Sequence, residues 1–177
     1  MNNSGLSGNL NGIVDFLGNS WNFECMGCAI ANKEIEVPGG IIYEGEHILL
    51  VTDAIIPIPG FLIVEVKRHV NSFLDLETEE IKELSEVLRY AEKTLKDLGI
   101  ANEITLVQEE RSKHFHVWIF PTHNWMKEKF GSGIKYLGEI IEFAKNNASE
   151  EDKKEVVAVA KKIKEYLSQQ KQKTYGP

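Results

Sequence analysis

Cysteine is scarce in this chain: the 177 residues hold two, and they fall together as Cys25-Met26-Gly27-Cys28. In the reducing compartment expected for this chain, a disulfide framework is not the natural reading of such a pair. Long apolar runs are missing too. None approaches the roughly 20 residues that span a bilayer, and no charged start precedes an apolar core as in a secretion signal. The cytoplasm is the expected location, with no membrane partner. Positive charge is in deficit, with Lys+Arg 20 against Asp+Glu 27 and a formal net charge of −7. Broad, sequence-independent nucleic-acid binding needs a basic footprint, which this balance argues against. A small phosphorylated ligand stays possible, because the field of one site can oppose the net charge. Internal repeats are absent. What remains, 42% hydrophobic and 27% charged, suits one ordinary globular core with an appendage.

The strongest local signal is His114-Phe115-His116-Val117-Trp118-Ile119-Phe120-Pro121. Its aromatic and β-branched residues with period-two alternation predict a strand closed by the proline. Successive side chains on a strand point to opposite faces, so His114, His116 and Trp118 line one face together. A single histidine there reads as a solvated position. Two at this spacing, with cysteines upstream, point to a site.

The Cys-x-x-Cys pair has three readings. A thioredoxin-like redox pair follows a strand and opens a helix, and nothing of that kind is expected here. Two structural buried cysteines is the second reading. Half of a zinc site is the third, since the spacing brings two thiolates together across a tetrahedral metal. Two histidines would then arrive from among His47, His69, His114, His116 and His123.

Along the chain, residues 1–9 are Asn, Ser and Gly with little to bury, and are expected to be disordered. Leu10, Ile13, Val14, Phe16 and Leu17 suit a short helix serving as an arm. Short strands are expected at Ile41–Tyr43, Ile48–Thr52 and Phe61–Val66. Residues 79–98 give the clearest helix, with Ile81, Leu84, Leu88, Ala91, Leu95 and Leu98 in one stripe. Thr78 is the expected N-cap and Gly99 the stop. Glu103–Gln108 and His114–Phe120 then read as an antiparallel hairpin. Beyond Pro121, Ile134 to Ala144 form an amphipathic helix. Ser149 and Asp152 resemble a capping box opening another, which carries Val156, Val159, Ala160, Ile163 and Leu167. These two suggest a helical hairpin packed on the sheet or on a partner subunit, and Gln169 to Pro177 a frayed tail. The expected organisation is a flexible arm over 1–20, a main domain over 21–125 and a C-terminal helical extension over 126–177. The fold class is α+β, with about five strands and one long helix.

Taken together and in order, Cys25-x-x-Cys28, Ile41-Ile42-Tyr43-Glu44-Gly45-Glu46-His47, Asp53, Pro57, Pro59-Gly60, Lys67-Arg68-His69, and His114-x-His116 with Pro121 resemble the histidine triad (HIT) superfamily. The resemblance covers over half the chain. It implies a five-stranded antiparallel sheet with a long helix, a homodimer, and a nucleotide or dinucleotide that is hydrolysed or whose nucleotidyl group is transferred. In the zinc-bearing branch the metal ligands match Cys25, Cys28, His69 and His114. Four protein ligands leave no open position, so the implied zinc is structural.

By the same resemblance, His116 matches the nucleophile. Its neutral imidazole would attack an α-phosphorus and leave a nucleotidyl-histidine for water or an acceptor to resolve. Asp53 matches the ribose-binding carboxylate, with Ile42 and the strand before Asp53 walling the base. Two departures stand out. Trp118 occupies the third triad position, where most hydrolases have histidine and uridylyltransferases glutamine; an indole offers one N–H and much more bulk. The loop before the triad is shortened to Glu109-Glu110-Arg111-Ser112-Lys113, without the Gly-rich phosphate loop. Gln108 falls where many members have asparagine, and Ser112, Arg111 or Lys113 would supply phosphate donors in its place. The implied activity is therefore a HIT-type hydrolase or nucleotidyltransferase. A binding module without turnover is the alternative, and a catalytic metal held by His114 and His116 a third, weaker reading.

Overall fold

Runs of β-branched and large apolar residues build the centre of the molecule. In the computed structural model, which describes residues 11–131 and 133–175, they form β3 (Ile41–Glu44), β4 (Ile48–Thr52), β5 (Leu62–Val66), β6 (Glu103–Val107) and β7 (His116–Thr122). These make one antiparallel sheet in the order β3-β4-β5-β7-β6. Every residue of β4 and β5 is buried. Cover on both faces explains why these two strands read as continuous apolar runs and not as an alternation.

One cover is α2 (Thr78–Asp97), whose Leu84, Val87, Ala91 and Leu95 share an apolar layer with Leu50, Leu62, Val64 and Ile119. Its N-cap is Glu77 and not Thr78: the Glu80 carboxylate accepts the Glu77 backbone N–H at 2.8 Å. Gly99, at φ +66°, ends the helix as expected. The other cover joins Val51, Phe61, Ile63 and Phe120 to α1 (Met26–Ala31), α3 (Asn124–Phe130) and α4 (Leu137–Asn147). The α+β architecture with five antiparallel strands and a long helix is thus observed.

Several local expectations are corrected. The stretch expected to be a helical arm is a hairpin of β1 (Asn11–Val14) and β2 (Ser20–Phe23). Asp15 decides this: its carboxylate accepts from the Leu17 and Asn19 backbone, the Asn19 amide and the Trp21 indole. Gly18, at φ +91°, closes the turn. An aspartate that gathers nearby N–H groups in this way favours a turn over a helix. The expectation for residues 1–9 lies outside the described residues. Pro121 does not close its strand but lies within β7, opposite Ile104. The pairing of β7 with β5 has already ended at Ile119, so the N–H that proline lacks is not needed there.

The last helix, α5 (Glu150–Tyr175), starts at the expected capping box, with Asp152 accepting the Ser149 N–H at 2.7 Å. It runs on to Tyr175, through the part of the segment expected to fray that lies within the described residues. Helices α4 and α5 part company at Ala148-Ser149. Ile140 and Ala144 of α4 join the layer with α1, whereas Ala160, Ile163 and Leu167 of α5 join the layer with α2. No helix among the described residues is long and apolar enough to cross a membrane.

Candidate functional site

Cys25 is the N-cap of α1 and Cys28 lies one turn into it. The cysteine pair therefore does follow a strand and open a helix, and the topological ground for setting the redox reading aside fails. What distinguishes the site is the histidines. The Cys25 Sγ lies 3.3 Å from His114 Nδ1, and the Cys28 Sγ lies 3.2 Å from His69 Nδ1 and 3.6 Å from His114 Nδ1. All four donor atoms fall within 4.8 Å of one another. A tetrahedral zinc with its usual bond lengths gives S···N edges of about 3.5 Å, so this cluster is compatible with zinc. His47 and His123 take no part in it. The remaining nitrogen of His114, Nε2, is 2.6 Å from the Val66 carbonyl oxygen. A proton on Nε2 donated there leaves Nδ1 as a lone pair facing the thiols, the arrangement that orients a metal-bound imidazole. Burial and the neighbouring Cys25 push the Cys28 thiol up to about 11 in the absence of a cation.

Arg68, next to His69, clamps this strand end. Its guanidinium donates to both carboxylate oxygens of the buried Glu80, at 3.0 and 2.8 Å, and to the Asp75 carbonyl oxygen at 2.8 Å. On the other side Gly27 lets α1 approach closely. A Cβ there would stand 2.5 Å from the His114 ring, which Val66 holds in place. Gly27→Ala is expected to cost about 1–3 kcal/mol, as overpacking of a rigid site does. Urea unfolding checks this, and an unchanged midpoint would mean that α1 shifts freely.

Beside the cluster lies a cavity of about 320 Å³. Val51, Ile63 and Trp118 line its sheet side, and Phe23, Met26 and Ile30 close it from the hairpin and α1. His116 faces into it from β7. The Nδ1 of His116 is 3.0 Å from the His114 carbonyl oxygen and 3.2 Å from the Ser112 hydroxyl. Ser112 in turn donates to that same carbonyl at 2.7 Å. A carbonyl can only accept, so Nδ1 carries the proton and Nε2 offers its lone pair. Asp53 also lines the cavity, with Oδ1 accepting the Ile55 and Ile56 N–H groups at 2.7 Å each. Desolvation pushes the Asp53 carboxyl up; these two N–H groups, His116 and Lys145 of α4 oppose that rise. Trp118 packs edge-on against Phe61, with ring centroids 5.5 Å apart, and leaves part of its indole on the cavity.

Two expected site residues lie elsewhere. Ile42 belongs to the layer shared with α2, because the alternation of β3 turns it to that face; Val51 and Ile63 form the apolar wall in its place. Gln108 is exposed just beyond β6 and is not on the cavity. In the shortened loop, Ser112 and Lys113 reach the cavity, whereas Arg111 points outward and pairs with Glu109.

Sequence reasoning missed Glu65. It lies on β5 directly opposite His116, is 3% exposed, and its Oε1 has no hydrogen-bond partner among the described residues. The lone acid in Leu62-Ile63-Val64-Glu65-Val66 was the available signal. Burial pushes its carboxyl up from 4.5 to about 8. The folded chain then holds a proton that the unfolded chain releases between about pH 4.5 and 8. This favourable contribution is complete at low pH, falls by about 1.4 kcal/mol per pH unit through the window, and is gone above it. Glu65→Gln cannot ionise. Urea midpoints of the two proteins are expected to lie nearest at pH 5 and to diverge in favour of the variant by several kcal/mol at pH 8. Parallel pH profiles would show that the carboxyl is not desolvated.

No family model matches the chain. A HIT-like protein of Methanocaldococcus jannaschii is 30% identical to it over 114 residues, which are 60% of this chain and 87% of that one. Among solved structures, a hypothetical histidine triad nucleotide-binding protein from Sulfolobus tokodaii is similar, with a TM-score of 0.58 at 22% identity, covering 81% of this chain and 93% of the other. A zinc-bound histidine triad family protein from Mycobacterium smegmatis is similar with a TM-score of 0.55 at 18% identity, covering 80% and 96%. The structural likenesses speak for the fold. With the M. jannaschii relative matched over most of its length, and with the histidines of the His114-x-His116 segment at the cysteine–histidine cluster and the cavity, the chain belongs to the HIT-like proteins.

Proposed function

We propose that the protein is a zinc-bearing HIT-type hydrolase or nucleotidyltransferase that works through His116. The observation that carries this reading is the tether of His116 Nδ1 to the His114 carbonyl oxygen, which leaves Nε2 as a nucleophile at the cavity. The similar S. tokodaii protein is described as nucleotide-binding and the M. smegmatis one as zinc-bound, and both descriptions agree with it. Nε2 forms a bond to the α-phosphorus as the bond to the leaving group breaks, and the leaving group departs with that electron pair. Water or an acceptor then attacks the phosphorus, and the P–N pair returns to Nε2. Lys113, on the loop, supplies a donor to the phosphoryl oxygens; the one O–H of Ser112 goes to the His114 carbonyl oxygen, so the phosphate-donor role expected of Ser112 gives way to support of that carbonyl. Asp53 Oδ2 accepts from the ribose, since Oδ1 is engaged by the backbone. Trp118 fills the space beside His116 and narrows the pocket.

Cys25, Cys28, His69 and His114 would hold the zinc. With four protein ligands it supplies structure and no open coordination position. The homodimer and the cytoplasmic location expected from the sequence remain part of this reading. The test is release of mononucleotide from a panel of dinucleoside polyphosphates and adenylylated amines. Turnover dependent on His116 supports it. Tight nucleotide binding without turnover by the zinc-loaded protein favours a binding module instead.

A further inference from the structure

The sheet floor of the cavity holds one group that neither the fold nor the mechanism above employs. Glu65 sits in the β5–β7 register directly across from His116, and both line the cavity. Residues so opposed have Cβ atoms about 5 Å apart, which lets both side chains address substituents of one phosphorus atom. Its burial has no structural return: Oε1 is sealed from solvent with no donor among the described residues. An apolar side chain would serve a plain strand better.

The other titratable groups on the cavity are engaged or differently placed. Asp53 is held by two backbone N–H groups, His114 by Val66 and the cysteines, and Lys113 and Glu24 are exposed at the rim. Trp118 carries no exchangeable acid or base. Burial favours the protonated form of this carboxyl, as an acid catalyst requires.

Resting on the reading of His116 as nucleophile, we propose that Glu65 is its acid–base partner. As Nε2 bonds to phosphorus and the leaving group departs with its electron pair, the Glu65 carboxyl gives that group its proton. In the second step the Glu65 carboxylate takes a proton from the attacking water or acceptor while the P–N bond breaks. Enzyme and proton inventory are then restored.

The test compares two adenylyl substrates in the zinc-loaded wild type, Glu65→Gln and His116→Ala. One releases an alkylamine, which needs a proton to leave; the other releases p-nitrophenolate, which does not. Glu65→Gln is expected to lose at least about 100-fold in turnover of the amine substrate. With the p-nitrophenyl ester the loss in the first, nucleotidyl-transfer burst is expected to stay within about 3-fold. Glu65→Ala is a second variant, in which added formate is expected to restore turnover of the amine substrate. Equal losses on both substrates, no loss on either, or no rescue in a folded variant would overturn the proposal while leaving His116 in place. Turnover that survives His116→Ala unchanged would overturn both readings.

Discussion

Cys28→Ser is expected to abolish stoichiometric zinc and to lower stability by about 4 kcal/mol. With a urea dependence of about 2 kcal/mol/M for a chain of this size, the unfolding midpoint should fall by about 2 M. Structural zinc contributes an apparent 10–16 kcal/mol or so in isolated finger peptides, where almost nothing else holds the fold. Here two apolar layers on a five-stranded sheet share in holding the fold, so the expected loss is partial. It falls on what the cluster joins: the start of α1, the segment after β5 at His69, and His114 at the entry to β7. Elemental analysis of the wild type should return about one zinc per chain, as a four-ligand site implies. A wild type without zinc, or a serine variant that unfolds at the wild-type midpoint, would remove the metal from the account.

His116→Ala is expected to reduce turnover at least about 10⁴-fold, or roughly 5.5 kcal/mol of transition-state stabilisation. The loss should appear in kcat more than in KM, because the imidazole forms its bond only as the reaction proceeds. Stability should hardly change, since His116 is half-buried and held by the His114 carbonyl, Ser112 and a loose ring contact with Trp118. A second readout is chemical: brief exposure of the wild type to radiolabelled substrate should leave label on the protein that is stable to alkali and released by acid, as a phosphoramidate is, and the alanine variant should take none. Labelled protein from the variant, or unaltered kcat, would move the nucleophile elsewhere.

The architecture was legible where one principle dominated. The stripe from Ile81 to Leu98 is a helix because a single buried face selects every third or fourth residue, and β4 and β5 declared themselves by apolar runs that Glu65 alone interrupts from within. Errors came where a local hydrogen bond outweighed periodicity. Asp15 converts an apparent amphipathic helix into a hairpin by capturing four donors, a choice invisible to spacing alone. At the site, Cys25, Cys28, His69 and His114 followed from resemblance and meet in space, and His116 lies on the adjoining cavity. Ile42 failed because the face taken by a four-residue edge strand is fixed by register, and β3 shifts register between Ile41 and Tyr43. Glu65 escaped because a carboxyl inside an apolar strand matches no motif; only its position opposite His116 gives it meaning.

His114 has a consequence for how this protein can change over time. Its ring stands among the sulfurs, and its own main-chain oxygen steers the neighbouring imidazole. In the proposed reading one amino acid thus links the zinc cluster, the scaffold's clasp, to the nucleophile, so damage to the first is expected to be felt at the second. A lineage that gives up the clasp has to invent a new support for that loop before it can keep its chemistry, and drift at the four ligand positions is expected to occur together or not at all.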